Sequence, residues 1–321
     1  MQEYYFANYR LLIDDAIATQ ESMQYLSAFR EVLPYEHTFT LCLGNPDLLE
    51  EKYTKALSSP VVGETSGHEM HPTEEGWMFI SKPVTEDGHE RAKTLFECSR
   101  DYSEMTLFTL TPKTHLERFG AEISILSIFK TMVRITCSAG MAFKDGLSLH
   151  ASMVEKDGYA VLFVGPSGMG KSTQARLWQQ YQGAEIINGD SPTIYEKDGE
   201  WFAAGIPWDG KDQIFKQRNL PIKAVIVLQQ AKENKIEKLS PMKAMATLLQ
   251  LVMHPYWDDK AMNCVTSLIG RCAHKVAFYH LQNLPNEEAT VLTHHTIIDG
   301  FLHDFDPLTP GQQLILYRRV V

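Results

Sequence analysis

The chain has 321 residues, 44% of them hydrophobic and 22% charged, which excludes a disordered or fibrous protein and provides for a sizeable core. A formal net charge of −10, with no long basic run to offset it, argues against general affinity for nucleic acid or for an anionic membrane surface. No segment approaches the ~18 apolar residues of a membrane helix. Residues 1–10 lack the basic and apolar regions of a secretory signal, and the five cysteines (Cys42, Cys98, Cys137, Cys264, Cys272) include no C-x-x-C pair, so a cytoplasmic protein with reduced thiols is expected.

Two domains are the default at this length. Residues 1–118 carry no motif with attached chemistry and are expected to form a small strand-rich α+β domain. Apolar or alternating runs at 38–43, 77–80 and 105–110 read as strands, while 44–46, 63–72 and 86–88 read as turns or loops. From about Leu116 to Phe143 the period becomes helical, with Ile123, Leu126, Ile128, Phe129, Met132 and Val133 on one broad apolar face, until Asp145-Gly146 ends it. Residues 119–321 are expected to form the second domain.

Two strands follow, 147–154 and 159–164, joined by Glu155-Lys156-Asp157-Gly158, whose Asp-Gly pair suits a hairpin turn with positive φ. The second strand, ending in Ala160-Val161-Leu162-Phe163-Val164, runs into Gly165-Pro166-Ser167-Gly168-Met169-Gly170-Lys171-Ser172-Thr173. This stretch matches the phosphate-binding pattern G-x-x-x-x-G-K-[ST] at each required position. Its glycines let main-chain N–H groups converge on phosphate oxygens with no β-carbon in the way, and the following helix adds its positive end. Lys171 supplies a mobile charge for the β and γ phosphates, and the Ser172 hydroxyl is placed to bind Mg²⁺. Good helix formers through Gln182, then Gly183, complete a strand–loop–helix unit that binds ATP or another nucleoside triphosphate.

A carboxylate is needed to hold Mg²⁺ opposite the loop. Asp190 follows a short strand at 184–187 and lies 19 residues beyond Lys171, enough for one helix and the next strand to return the chain to the phosphates. The competing explanation is a turn aspartate in Asn-Gly-Asp-Ser-Pro. A second hairpin, 193–195 with 201–203, turns on another Glu-Lys-Asp-Gly tetrad. Further on, 224–228 and 276–281 read as strands, and 241–252, 259–272 and 286–302 as helices. The cluster from His254 to Asp259, and His294-His295 with His303, have metal-capable side chains but no metal-ligand spacing. The short interval to Asp190 and the lack of an LSGGQ-type signature separate the chain from transporter ATPases.

The stretch Leu149-His150-Ala151-Ser152-Met153-Val154, then Asp157-Gly158, the loop at 165–173 and Asp190 resembles the catalytic domain of the HPr kinase/phosphorylase superfamily. The likeness is nearest to shorter HPr-kinase-like proteins found beside peptide-modification genes, which share Leu-His-Ala-Ser and a Pro-Trp-x-Gly-Lys segment, here Pro207-Trp208-Asp209-Gly210-Lys211. It covers roughly residues 119–285. What it implies is an α/β fold, a phosphoenolpyruvate carboxykinase-like P-loop domain preceded by the small strand-rich α+β domain. It further implies phosphate binding by Lys171 and the loop glycines, Mg²⁺ binding by Ser172 and Asp190, and His150 near the phosphate end. Hexamers are common in that family, so a homo-oligomer is implied as well.

Gly189 stands where the HPr kinases have the first of two aspartates, the implied proton acceptor. A lone carboxylate bound to Mg²⁺ is a poor base, because the metal's charge lowers its proton affinity; His150 or Asp209 could substitute. The expected activity is Mg-ATP-dependent phosphoryl transfer to a hydroxyl of a peptide, protein or small molecule. The alternative is a nucleotide-binding regulatory or partner-binding module with little or no turnover.

Overall fold

The computed structural model of the protein describes residues 1–19, 21–65, 68–81, 93–109, 139–207 and 214–298. The helical period expected over 116–143 therefore lies almost wholly outside the described residues, as does the expected boundary near residue 118. Among the described residues no helix is long and apolar enough to cross a membrane.

The N-terminal part builds an eight-stranded sheet from β1 (Gln2–Phe6), β2 (Tyr9–Ile13), β3 (His37–Leu43), β4 (Gly63–Thr65), β5 (His68–Pro72), β6 (Gly76–Ser81), β7 (Thr94–Ser99) and β8 (Glu104–Thr109), in the order β1-β2-β3-β8-β7-β6-β5-β4. Only β2–β3 and β3–β8 pair in parallel. A four-residue helix α1 (Asp15–Ala18) follows β2, and α2 (Leu49–Leu57) covers one face of the sheet, packing Leu49, Tyr53 and Ala56 against Met78, Ile80, Leu95 and Phe108. Gly63–Thr65 and His68–Pro72, which fall in a stretch expected as a loop, are strands that pair antiparallel. Strand formation there comes from pairing with β6 over five residues, which local composition does not announce.

The second sheet comprises β9 (Gly146–Ser148), β10 (Ala151–Lys156), β11 (Tyr159–Val164), β12 (Glu185–Asn188), β13 (Thr193–Lys197), β14 (Glu200–Ala204), β15 (Asn219–Gln230), β16 (Lys235–Lys238) and β17 (Phe278–Asn283). Its order is β12-β10-β11-β15-β14-β13-β9, with β17 also against β15 and β16 against β17. The long strand β15 serves two groups of partners. Its start pairs antiparallel with β14, and its remainder lies parallel between β11 and β17.

Every residue of β11 from Ala160 to Val164 is buried, as expected for a strand covered on both faces. Val161 and Phe163 pack toward α3 (Lys171–Gln182), meeting Ala175 and Trp178, with Ile297 of α6 (Glu287–Ile298) in the same cluster. Ala160, Leu162 and Val164 pack on the other side with Leu248 of α4 (Pro241–Leu251) and Val265, Leu268 and Ile269 of α5 (Asp259–Lys275). The result is a mixed α/β architecture with helices on both faces of a sheet.

The two sheets share a core. Tyr9, Phe39 and Leu41 of the first cluster with Met141, Tyr195, Ala204 and Ile206 of the second, and the Tyr9 hydroxyl donates to the Lys144 carbonyl at 3.0 Å. Arg271 pairs with Asp145 at 2.7 Å and Glu196 at 2.6 Å, tying α5 to the β13–β14 hairpin.

Candidate functional site

The strand expected over 147–154 breaks at His150. Residues 146–148 pair with β13, whereas 151–156 pair with β11 and β12, so the chain changes partners between them. Around the break the Leu149 and His150 N–H groups bond Pro192 O at 3.1 Å and Leu251 O at 3.0 Å. His150 is thereby lifted out of regular pairing, with its side chain 38% exposed.

Downstream, β11 delivers the chain into the loop 165–170. Gly168 and Gly170 hold φ of +80° and +99°, and a β-carbon at either would meet nothing within 4 Å, so their inner surface is open. Gln230, at the end of β15, donates from Nε2 to Gly168 O at 3.2 Å and fixes the loop to the sheet. Gly170 precedes α3 without any side chain to cap it, so the first-turn N–H groups stay available to an anion. Pro166, Ser167 and Gly168 are exposed, Met169 and Gly170 partly so, and the outer face of the helix start is formed by Thr173.

Lys171 folds inward. Its Nζ donates to Gly165 O at 2.9 Å and Pro166 O at 3.2 Å, and lies 2.9 Å from His150 Nε2. An ammonium has only hydrogens to offer, so His150 Nε2 accepts, and the ring proton sits on Nδ1. That nitrogen lies 3.2 Å from Asp190 Oδ1. Lys171, His150 and Asp190, far apart in sequence, thus form one chain of polar contacts.

Burial lowers the Lys171 ammonium from its ordinary value, and the Asp190 charge partly opposes this. Asp190 is held below the usual carboxylate range, first by the hydrogen bond from His150, against burial, with help from Ser191 and the Lys171 charge. The Asp190 carboxylate is 39% exposed, open enough to take a ligand. Ser172 is half-buried in the first turn of α3, and its hydroxyl makes no hydrogen bond among the described residues. Asp209, with the rest of the Trp-Asp-Gly-Lys segment, lies outside the described residues.

Among the described residues no group of three or more His, Cys, Asp or Glu side chains is arranged to hold a metal. A cation at Asp190 would therefore take most of its ligands from phosphate and water, the usual habit of Mg²⁺. One free hydroxyl, one ionised carboxylate and an open glycine loop fit a magnesium nucleotide.

Sequence reasoning passed over Asn188 and Ser152. Asn188, fully buried, accepts from the N–H groups of Asp190 at 3.2 Å and Ser191 at 2.9 Å, and Ser152 Oγ donates to Gly189 O at 2.8 Å. The available signal was an asparagine two residues before the aspartate, the spacing of an Asx turn.

A family model described as "SynChlorMet cassette protein ScmC" matches residues 116–268, a span holding the loop, His150 and Asp190 and ending within α5. Among solved structures, the Hpr(Ser) kinase/phosphatase from Coxiella burnetii aligns with 10% sequence identity and a TM-score of 0.27, over 48% of this chain and 95% of that one. No curated protein matches the chain.

Proposed function

We propose that the protein is a Mg-ATP-dependent phosphotransferase acting on a hydroxyl of a peptide, protein or small molecule. The arrangement of its P-loop domain would be that of the HPr-kinase and carboxykinase type. The observation that carries this reading is the chain from Lys171 through His150 to Asp190 at the mouth of an open phosphate-type loop.

Lys171 exchanges the Gly165 and Pro166 carbonyls for phosphate oxygens of ATP, and the loop N–H groups bind the remainder. Ser172 and Asp190 would hold Mg²⁺, which supplies charge neutralisation on the phosphates when bound. Relieved of Lys171, His150 Nε2 is free to accept the proton of the attacking hydroxyl. Its Nδ1–H stays on Asp190, which orients the ring and stabilises the charge it gains. The hydroxyl oxygen forms the new bond to the γ phosphorus as the bridging oxygen departs with ADP. His150 thus supplies the base that Gly189 cannot.

The test is single-turnover transfer of γ-labelled phosphate from Mg-ATP to serine-containing peptides and small alcohols. Label should appear on an acceptor with the native chain and not with Lys171→Ala. Tight Mg-ATP binding without any transfer would favour the second reading, a nucleotide-controlled partner-binding module. The core shared between the two sheets favours that alternative, since it gives a nucleotide-driven change a route to the N-terminal sheet.

A further inference from the structure

We infer that Asn188 and Ser152 are positioning residues that lock Gly189-Asp190-Ser191, so that one carboxylate can serve as the protein's acidic ligand to a divalent cation. The inference rests on the phosphotransferase reading for its metal and deepens it.

Five consecutive main-chain groups of this segment are tied. Gly189 N donates to Ile214 O at 3.1 Å, and Gly189 O accepts from Ser152 Oγ at 2.8 Å. Asp190 N and Ser191 N both donate to Asn188 Oδ1, while Asp190 O accepts from Ala151 N at 2.9 Å. A turn that served only to reverse the chain would not need this many anchors. Both anchoring side chains are fully buried, at 0% exposure.

The Asn188 amide is also used one-sidedly. Its Oδ1 takes two donors, which fixes which end is oxygen, and its Nδ2 has no partner among the described residues. Buried polar groups without a partner are uncommon in native proteins, and a functional role is one reason for keeping one. Opposite Asn188, the register of β10 on β12 shifts between Met153 and Val154.

Positioning matters more for a single ligand than for two. Asp190 must keep Oδ1 toward His150 while Oδ2 accepts from Ser191 Oγ at 3.3 Å, and no second carboxylate corrects a misplaced one. A fixed main chain removes that freedom before the cation arrives.

The full chain is compared with Asn188→Ala, Asn188→Ser and Ser152→Ala by amide hydrogen exchange without ligand, and by calorimetric titration with ATP in the presence of Mg²⁺ or of EDTA. Asn188→Ala should speed exchange at Asp190 and Ser191. It should weaken Mg-ATP binding by roughly 10- to 100-fold, the cost typical of lost support behind a metal ligand, and leave binding of metal-free ATP nearly unchanged. Asn188→Ser, whose hydroxyl can accept from the same N–H groups, should recover most of the loss. Wild-type Mg-ATP affinity in Asn188→Ala, or equal losses in the Ala and Ser variants, overturns the inference. Should Asn188→Ala not fold, Ser152→Ala decides by the same metal-dependent loss. Failure of the native chain to bind Mg-ATP would refute the nucleotide reading and the metal role with it, while unchanged exchange at residues 190 and 191 would refute the lock by itself.

Discussion

Lys171 Nζ stands 2.9 Å from His150 Nε2, so the lysine expected to grip phosphate and the histidine expected to take a proton occupy each other until one is drawn away. Under the proposed mechanism the contact would make the two roles sequential, with His150 becoming a base only after Lys171 has turned to a phosphate. His150→Ala should therefore lower single-turnover phosphoryl transfer by about 10²–10⁴-fold, the usual worth of a positioned base. Mg-ATP affinity, measured by calorimetry, should change only a few-fold. A comparable loss in both quantities would place His150 in binding and not in proton transfer.

The depressed Asp190 carboxyl gives a pH dependence of known sign. Its folded value lies below the ordinary one, so the unfolded chain takes up this proton first on acidification. The stabilising contribution is complete above the ordinary carboxylate range and is lost as pH falls through the folded value. Asp190→Asn should therefore show a shallower loss of urea-unfolding free energy below about pH 4 than the native chain. Removing His150, the largest cause of the depression, should shift Asp190 upward in a carboxyl-carbon NMR titration.

Gly170 and Gly158 provide a matched pair for the loop. Both have positive φ, +99° and +81°, and at neither would an added methyl group meet anything within 4 Å. Alanine at either site should destabilise the fold by roughly 1–2 kcal/mol through the backbone alone. Only Gly170→Ala should also weaken Mg-ATP binding, since only there would a methyl meet incoming phosphate. Equal affinities in the two variants would remove the phosphate from that position.

The candidate site's local structure was legible in sequence wherever residue chemistry and backbone preference coincide. The glycine spacing, the apolar run of β11 and the helix formers after Lys171 placed the loop. Both Glu-Lys-Asp-Gly turns formed as their Asp-Gly pairs required, with Asp157 and Asp198 at φ of 52° and 51°. Features set by distant pairing were not legible. The alternation of 147–154 runs unbroken through His150, and only the change from β13 to β11 and β12 as partners lifts that residue from its strand. β15 begins at Asn219 with Pro221 inside it, which argues against a strand locally; pairing of Pro221 with Phe202 overrides that preference. Asn188 looked like turn material; its bonds to Asp190 and Ser191 are local, but its complete burial is set by packing that its neighbours do not announce.

Tyr102 tests whether the two sheets unfold together. Its buried hydroxyl donates to Asp258 Oδ2 at 3.1 Å and accepts from Trp257 Nε1 at 2.9 Å, joining the turn between β7 and β8 to the start of α5. Burial drives the phenol above its ordinary value, with the Asp258 charge adding to the shift, so the group stays neutral and keeps donating. Asp258 also caps α5, accepting from Lys260 N at 2.9 Å and Ala261 N at 3.2 Å. Tyr102→Phe leaves the indole N–H and one carboxylate oxygen without this partner, at a cost of about 1–3 kcal/mol. If the shared core makes the chain one cooperative unit, tryptophan fluorescence and far-ultraviolet circular dichroism should report a single urea transition, moved to lower urea in the variant with an unchanged slope. Two separated transitions, only one of them shifted, would show instead that the N-terminal sheet folds independently and that this contact is a docking bond between domains.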